Sequence, residues 1–363
     1  MRRTGVLILG AGPAGSAAAI TLARGGARPL LIERQRETGD AVCGGFLSWQ
    51  SLSALERLGV EVTGASATEV RLFSGMRSAR ARLPRPALGV SRRQLDSAML
   101  RRAEVEGAFV ERGVHAREAD GRRIRADGEE FAPERLLLAT GKHDLRGLAR
   151  PKPGDDPALG LRVRLGPASG LSKLVEGAIE LHLFDRGYAG LVLQEDGAAN
   201  LCLAVRKSRL NEAGEPRALL QEIGREVPPL GDRLAWLAAD APIDAIASVP
   251  YGWRSAETNE GIYRLGDQAA VIPSLAGEGM GIALASGAMA GQAVLRGEAA
   301  ESYQRRLASR TRRPISVASA ILAAAERPSS AAALVALMSL APGLASLLAR
   351  VTRVSHSTDS KMI

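Results

Sequence analysis

Four apolar residues, Val6-Leu7-Ile8-Leu9, run directly into Gly10-Ala11-Gly12-Pro13-Ala14-Gly15, and this junction constrains the fold more than any other segment. A short apolar run closed by glycine reads as a strand buried on both faces, as in parallel sheets. Ala14 to Arg24 then reads as a helix, stopped by Gly25-Gly26. Pro29-Leu30-Leu31-Ile32 supplies a second strand, with Glu33 at its end, 18 residues after Gly15. Strand, glycine turn, helix and strand within about 30 residues make a βαβ unit. Such a unit commits the start of the chain to a parallel, doubly wound α/β sheet.

Each glycine has its own physical reason. Gly10 permits the tight turn, Gly12 lets the backbone touch a pyrophosphate, and Gly15 lets helix and strand pack closely. Pro13 and Ala14 open the helix, whose free N–H groups and dipole attract phosphates. Glu33, followed by Arg34, can accept both hydroxyls of an adenosine ribose, and its charge repels a 2′-phosphate. This disfavours NADP at this site and allows NAD or FAD. A glycine-rich turn without a ligand is the plainer alternative. The preceding strand, the following helix and the acidic residue argue against it.

A chain of 363 residues suggests two domains. The formal charge of +9 comes almost wholly from arginine, because Lys occurs at only five positions. The arginines are scattered and aromatic residues are 3% of the chain, so platforms for stacking bases are scarce and nucleic acid is not expected as a partner. Two cysteines, Cys43 and Cys202, make neither a disulfide framework nor a zinc site. His115, His143, His182 and His356 are scattered without metal spacing, so no metal is expected; of these only His143 stands beside a motif. With no signal peptide ahead of the first strand, a reducing, cytoplasmic setting is expected. Pro328 to Ala349 carries no charge and is about as long as a membrane span, but Pro342-Gly343 interrupts it. A helical hairpin packed on the protein is expected there, with peripheral membrane contact as the alternative.

Further along, Ser48 can cap a helix through Leu52, Leu55 and Leu58 that Gly59 closes. Gln94 to Glu104 reads as another helix. Asp127-Gly128 between Arg122–Ala126 and Glu129–Ala132 signals a hairpin, and Leu136–Ala139 a buried strand. After Lys152-Pro153-Gly154 the pattern alternates, at Leu161–Leu165, Ile179–Leu183, Gly190–Leu193 and Asn200–Leu203. That predicts an antiparallel sheet. Charged helical sequence follows to about Ala239, strands return between Ser248 and Gly266, and Gly279 to Gly291 reads as a helix. The expected organisation is one domain over 1–152 and 246–300, an inserted sheet domain over 153–245 covering the substrate, and a helical segment over 301–363.

Gly266-Asp267 ends an apolar run, and Pro273 with Gly277-Glu278-Gly279-Met280-Gly281 opens the helix that follows. A carboxylate at a strand end can bind a polyol, and a glycine-rich helix start can meet a pyrophosphate or the pyrimidine edge of a flavin. A surface turn before an ordinary helix is the bland alternative. Taken with Cys43-Gly44-Gly45, Val90-Ser91-Arg92, Leu95-Asp96 and Ala139-Thr140-Gly141, these stretches resemble the flavoprotein superfamily of p-hydroxybenzoate hydroxylase. Within it the chain is most similar to the branch of geranylgeranyl reductases and FixC-like flavoproteins. The resemblance spans about residues 5 to 290. It implies FAD as cofactor, with Arg92 contacting it, Asp267 on the ribityl chain, and Gly277, Gly279, Met280 and Gly281 bordering the isoalloxazine. Arg34, Cys43, Gly44, Thr140, Gly141 and Gly266 complete the implied binding set.

There are departures. Thr140-Gly141 stands where aromatic hydroxylases show Asp-Gly, which puts their mode of NADPH use in doubt, and the halogenase Trp-x-Trp-x-x-Ile-Pro signature is absent. Gly281 and Ser286 replace the usual Asn and Asp and are more like the reductase branch. Cys43 can donate to a substrate, tune a flavin or simply pack, and no side chain is singled out as general acid or base. The leading expectation is an FAD-dependent monooxygenase, reduced by NAD(P)H or another donor, that hydroxylates a small apolar or phenolic substrate. A flavin-dependent reductase of isoprenoid double bonds is the alternative, and a flavin electron-transfer protein the second alternative.

Overall fold

The computed structural model describes residues 1–152 and 154–354; Pro153 and His356 lie outside the described residues. The first sheet is centred on Arg2–Leu9. Leu30–Glu33 and then Phe109–Arg112 lie on one side of it, and Glu129–Leu138 on the other. These contacts are all parallel, and Ile262–Arg264 joins Leu136–Leu138 in parallel too. This is the Rossmann-type α/β sheet that the glycine turn requires. A hairpin at Asp127-Gly128 (φ 42° and 87°) attaches Arg123–Ala126 and then Ala116–Asp120 as antiparallel neighbours. Both turn residues take the left-handed region, as a two-residue primed turn demands.

The helices Pro13–Arg24 and Gly279–Leu295 lie against each other on one face of this sheet. A Cβ at Gly287 would stand 2.2 Å from the carbonyl oxygen of Ala14, so only glycine allows the backbones this close. The close approach keeps both helix N-termini at the same edge of the sheet.

The second sheet has the order Asp244–Val249, Ala158–Leu165, Ala199–Arg206, Gly187–Leu193, Gly177–Phe184, Ala65–Ser74, Arg77–Gly89 and Phe46–Leu47. It is antiparallel except where Gly177–Phe184 runs parallel to Ala65–Ser74. The boundary expected at 153–245 therefore needs correction. Three strands of this sheet come from before residue 90, and its last strand continues to Val249. Between Ser248 and Gly266 only Ile262–Arg264 is a further strand of regular length. Ala199, Leu201, Leu203 and Val205 pack under the helices Pro216–Glu226 and Pro228–Leu234, which leaves Asn200 and Cys202 on the face turned towards the first sheet.

The uncharged segment forms two helices, Pro328–Leu340 and Gly343–Val351, broken at Ala341-Pro342. They cover Leu72, Ala79 and Ala81 of the second sheet. Ser339 Oγ donates to the carbonyl of Ser78 at 3.2 Å and Ser346 Oγ to that of Arg82 at 2.9 Å. Among the described residues no single helix is long and apolar enough to cross a membrane.

Candidate functional site

A cavity of about 710 Å³ runs from the glycine turn, between the two sheets, to the tail helices. Its first end is walled by backbone. Gly10, Gly12, Pro13 and Ala14 line it, and no side chain caps the helix that Gly12 begins. Gly279 and Met280 bring a second helix N-terminus, also without a side-chain cap, to the same cavity. Uncapped N–H groups and two dipoles converging on one space make an anion site. Gly44, Gly141 and Gly279 also face this space, and a Cβ on any of them would meet nothing within 4 Å. Three such open glycines form a cradle that a flat ring and its diphosphate fit.

The charged residues of this end are held in place. Both oxygens of Glu33 accept backbone N–H groups, from Ala11 at 2.8 Å and from Gln35 at 2.9 Å, so the carboxylate is fixed at the cavity wall before any ribose arrives. Arg92 is a buried guanidinium paired with Asp96 at 2.6 Å, and it stands 3.5 Å from where a Cβ on Gly12 would lie. Burial opposes its charge, but Asp96 and Cys43 outweigh burial and hold its pKa above the ordinary arginine value. Arg34 donates to His143 Nε2 at 2.7 Å. Burial, with Arg34, Lys142 and Arg150 nearby, lowers the pKa of His143 and keeps it neutral. Asp267 lines the cavity with Lys142 Nζ 3.8 Å from its carboxylate.

Gly15, read as the close-packing glycine of the turn, and Gly281, implied by the resemblance to border the isoalloxazine, both stand outside the wall. Gly15 packs on the turn, where a Cβ would lie 1.9 Å from the Gly10 carbonyl oxygen, and Gly281 is turned onto the Glu278 carboxylate. Two residues along a helix is a turn of about 200°, so Gly281 points away from the face of Gly279. Thr140 and Gly141 reach the cavity as a loop that Thr140 Oγ1 closes onto the His143 carbonyl, and buried Gln268 holds the same loop through the Gly141 carbonyl at 2.9 Å. Ser286 accepts from the Gly266 N–H at 2.9 Å and so sets the strand end that carries Asp267.

The middle of the cavity brings together groups from distant parts of the chain. Cys43 lies here, its carbonyl accepting from Asn200 Nδ2 at 2.9 Å, and Cys202 faces the same space. Burial pushes the Cys202 thiol up to about 12. Tyr188 and Tyr251 both hydrogen-bond to Ser274 Oγ, the latter at 2.5 Å, and burial raises both phenols above their ordinary range. No local pattern announces this trio, whose members are 86 and 23 residues apart in the chain.

Beyond it the wall is hydrocarbon. Val70, Leu72, Leu181 and Leu183 of the second sheet face Leu334, Met338, Ala345 and Leu348 of the tail. Where tail and cradle meet, Arg353 bonds the buried carboxylate of Glu278 at 2.9 Å, donates to the carbonyls of Ala276 and Gly277, and lies over the rings of Phe46 and Trp49. Burial raises the pKa of Glu278 to about 7 despite that partner.

Comparison with known proteins agrees with this geometry. A family model described as an FAD binding domain matches residues 3–143. A digeranylgeranylglycerophospholipid reductase of Methanopyrus kandleri is 28% identical over 323 residues, covering 79% of this chain and 76% of the relative. The solved structure of a geranylgeranyl bacteriochlorophyll reductase-like protein from Thermoplasma acidophilum superposes with a TM-score of 0.75 at 19% identity, covering 93% of this chain and 92% of the other. That of a probable FAD-dependent monooxygenase from Pseudomonas aeruginosa gives 0.68 at 18% identity, covering 92% and 99%. With two uncapped helix ends and an open glycine cradle meeting in one cavity, residues 3–143 fit the FAD binding domain whose family model they match, and the chain as a whole is similar to FAD-dependent oxidoreductases.

Proposed function

We propose that the enzyme reduces carbon–carbon double bonds of a long isoprenoid chain. The observation that carries this reading is the hydrocarbon arm of the cavity, walled on one side by Val70, Leu72, Leu181 and Leu183 and on the other by the tail helices. An extended apolar slot suits a polyprenyl chain, whose burial contributes roughly 25 cal/mol per Å². The name of the Methanopyrus relative supports the same substrate class. The sequence alone favoured hydroxylation; the apolar arm moves the balance towards reduction.

FAD, when bound and reduced, supplies the hydride equivalent. NAD(P)H is the candidate external donor. The chain's own residues do the rest. Glu33 and the two helix ends bind the nucleotide, and the apolar arm orients the substrate while keeping water out. Tyr188 Oη carries the proton that the second carbon needs, and Ser274 Oγ and Tyr251 Oη share and replace it.

The test is anaerobic. FAD-loaded protein, reduced chemically and mixed with a geranylgeranyl compound, should reoxidise without oxygen and yield a product heavier by two hydrogens per bond reduced. No product under these conditions would overturn the reading. A second reading rests on the same hydroxyl trio, which could orient a phenol for hydroxylation. Consumption of O₂ coupled to a hydroxylated phenol would favour it.

A further inference from the structure

The tail hairpin has two apolar faces, and the fold uses only one of them. Its inner face closes the cavity through Leu334, Met338, Ala345 and Leu348. Its outer face leaves Leu337 48%, Leu340 85% and Leu347 56% exposed. The neighbouring turn adds Met76, 77% exposed, two residues before the Ser78 carbonyl that holds Ser339. Large apolar side chains clustered in water mark a surface that something covers.

Length excludes a span by either helix alone. Helices of 13 and nine residues are about 20 and 14 Å long at 1.5 Å per residue, well short of the ~30 Å hydrocarbon core. The preceding helix, Ala300–Ala325, departs at 113°. Neither helix of the hairpin is long enough by itself to cross a bilayer, and both can lie on one.

Charge identifies the occupant. The strand to which the hairpin is fastened, Arg77–Gly89, has no carboxylate, and alternation along it puts exposed Arg77 on the same face as Ala79 and Ala81, which the hairpin covers, with Arg80 and Arg82 on the other face. Arg350 is exposed at the end of the second helix, and from Pro328 to Val354 there is no Asp or Glu. Arg77 and Arg350 make no ion pair among the described residues, and no carboxylate lies on the strand or on the hairpin to neutralise them. Exposed leucines beside unneutralised arginines match the two layers of an anionic membrane surface, acyl boundary and phosphate headgroup.

We propose that the hairpin Pro328–Val351 docks the enzyme on an anionic lipid bilayer through Leu337, Leu340, Leu347, Arg77 and Arg350. The inner wall of the same hairpin then opens the apolar arm towards the acyl region, so a greasy substrate reaches the site without crossing water. Docking does not depend on which reaction the site performs.

The experiment is co-sedimentation of the FAD-loaded full chain with phosphatidylcholine vesicles, plain or doped with phosphatidylglycerol. The wild type should pellet with the doped vesicles and be released by salt. The double variant Leu340→Glu, Leu347→Glu should bind at least about tenfold more weakly, with flavin content and melting temperature unchanged. Arg77→Gln with Arg350→Gln should weaken binding to the doped vesicles alone, about fivefold per arginine from ~1 kcal/mol each, and flatten the salt dependence. Failure of the wild type to bind doped vesicles overturns the proposal, as does a leucine variant that binds like the wild type. If the wild type is dimeric, the leucine variant monomeric and neither binds vesicles, a second copy of the chain covers the patch and membrane docking is wrong.

Discussion

Around Glu33 the cavity wall is backbone: open glycines, two helix ends and carboxylate–arginine pairs fixed by short hydrogen bonds. Around Met338, at the far end, the wall is side chain, drawn from a sheet and two helices that meet only through packing. The first end favours an anion, and its turn at Gly10 and Gly15 has no room for an added atom, whereas Gly44, Gly141 and Gly279 open onto the cavity. The second offers an apolar lining, built from side chains far apart in the chain. One cavity thus combines a site defined by hydrogen-bond geometry with one defined by surface area.

The sharpest way to break the first end is Gly15→Val. The new Cβ would lie 1.9 Å from the Gly10 carbonyl, a backbone atom that cannot swing away. A loss of about 4 kcal/mol or more is expected, as protein that is colourless and unfolds early on heating. A variant that melts like the wild type would show that the turn is not rigid.

The junction of the two ends should show in pH dependence. An unfolded glutamate ionises near its ordinary value, whereas buried Glu278 stays protonated to about 7. Between those values the folded state holds the extra proton, so stability falls as pH rises through the window. The change is roughly 3 kcal/mol. Denaturant midpoints measured from pH 4 to 8 should carry this slope, and Glu278→Gln should flatten it.

Glu33→Arg tests recognition of charge alone. It replaces the acceptor with a cation, and about a 100-fold loss of FAD affinity is expected, near 2.7 kcal/mol. Full flavin retention after dialysis would remove the assigned role. Smallest of all is the effect expected at the apolar end. Met338→Trp should raise KM for a polyprenyl substrate about tenfold, ~1.4 kcal/mol, while flavin content stays constant. A loss of flavin there would mean the two ends are not separable.

Local pattern made much of this legible. The βαβ unit was readable because strand, glycine turn and helix are neighbours in sequence and each obeys its own period. Ser48 was likewise readable as a helix cap; it accepts from the Ser51 N–H. The strands Ala65–Ser74 and Arg77–Gly89 were not readable, because their buried positions include Ala67, Ala79, Ala81 and Ala87, and alanine gives little strand signal. Glu33 was read as a free ribose acceptor, and the structure adds two backbone donors that fix it first.

By itself the sequence determined the nucleotide end, since glycine conformation, helix dipoles and a carboxylate 18 residues on act over short stretches of chain. Only the tertiary structure decided the rest of the site. Tyr188, Tyr251 and Ser274 share hydrogen bonds, Arg353 locks onto Glu278, and the uncharged tail becomes a cavity wall. Those contacts join residues up to hundreds of positions apart. Packing of surfaces, which no local period encodes, selects them.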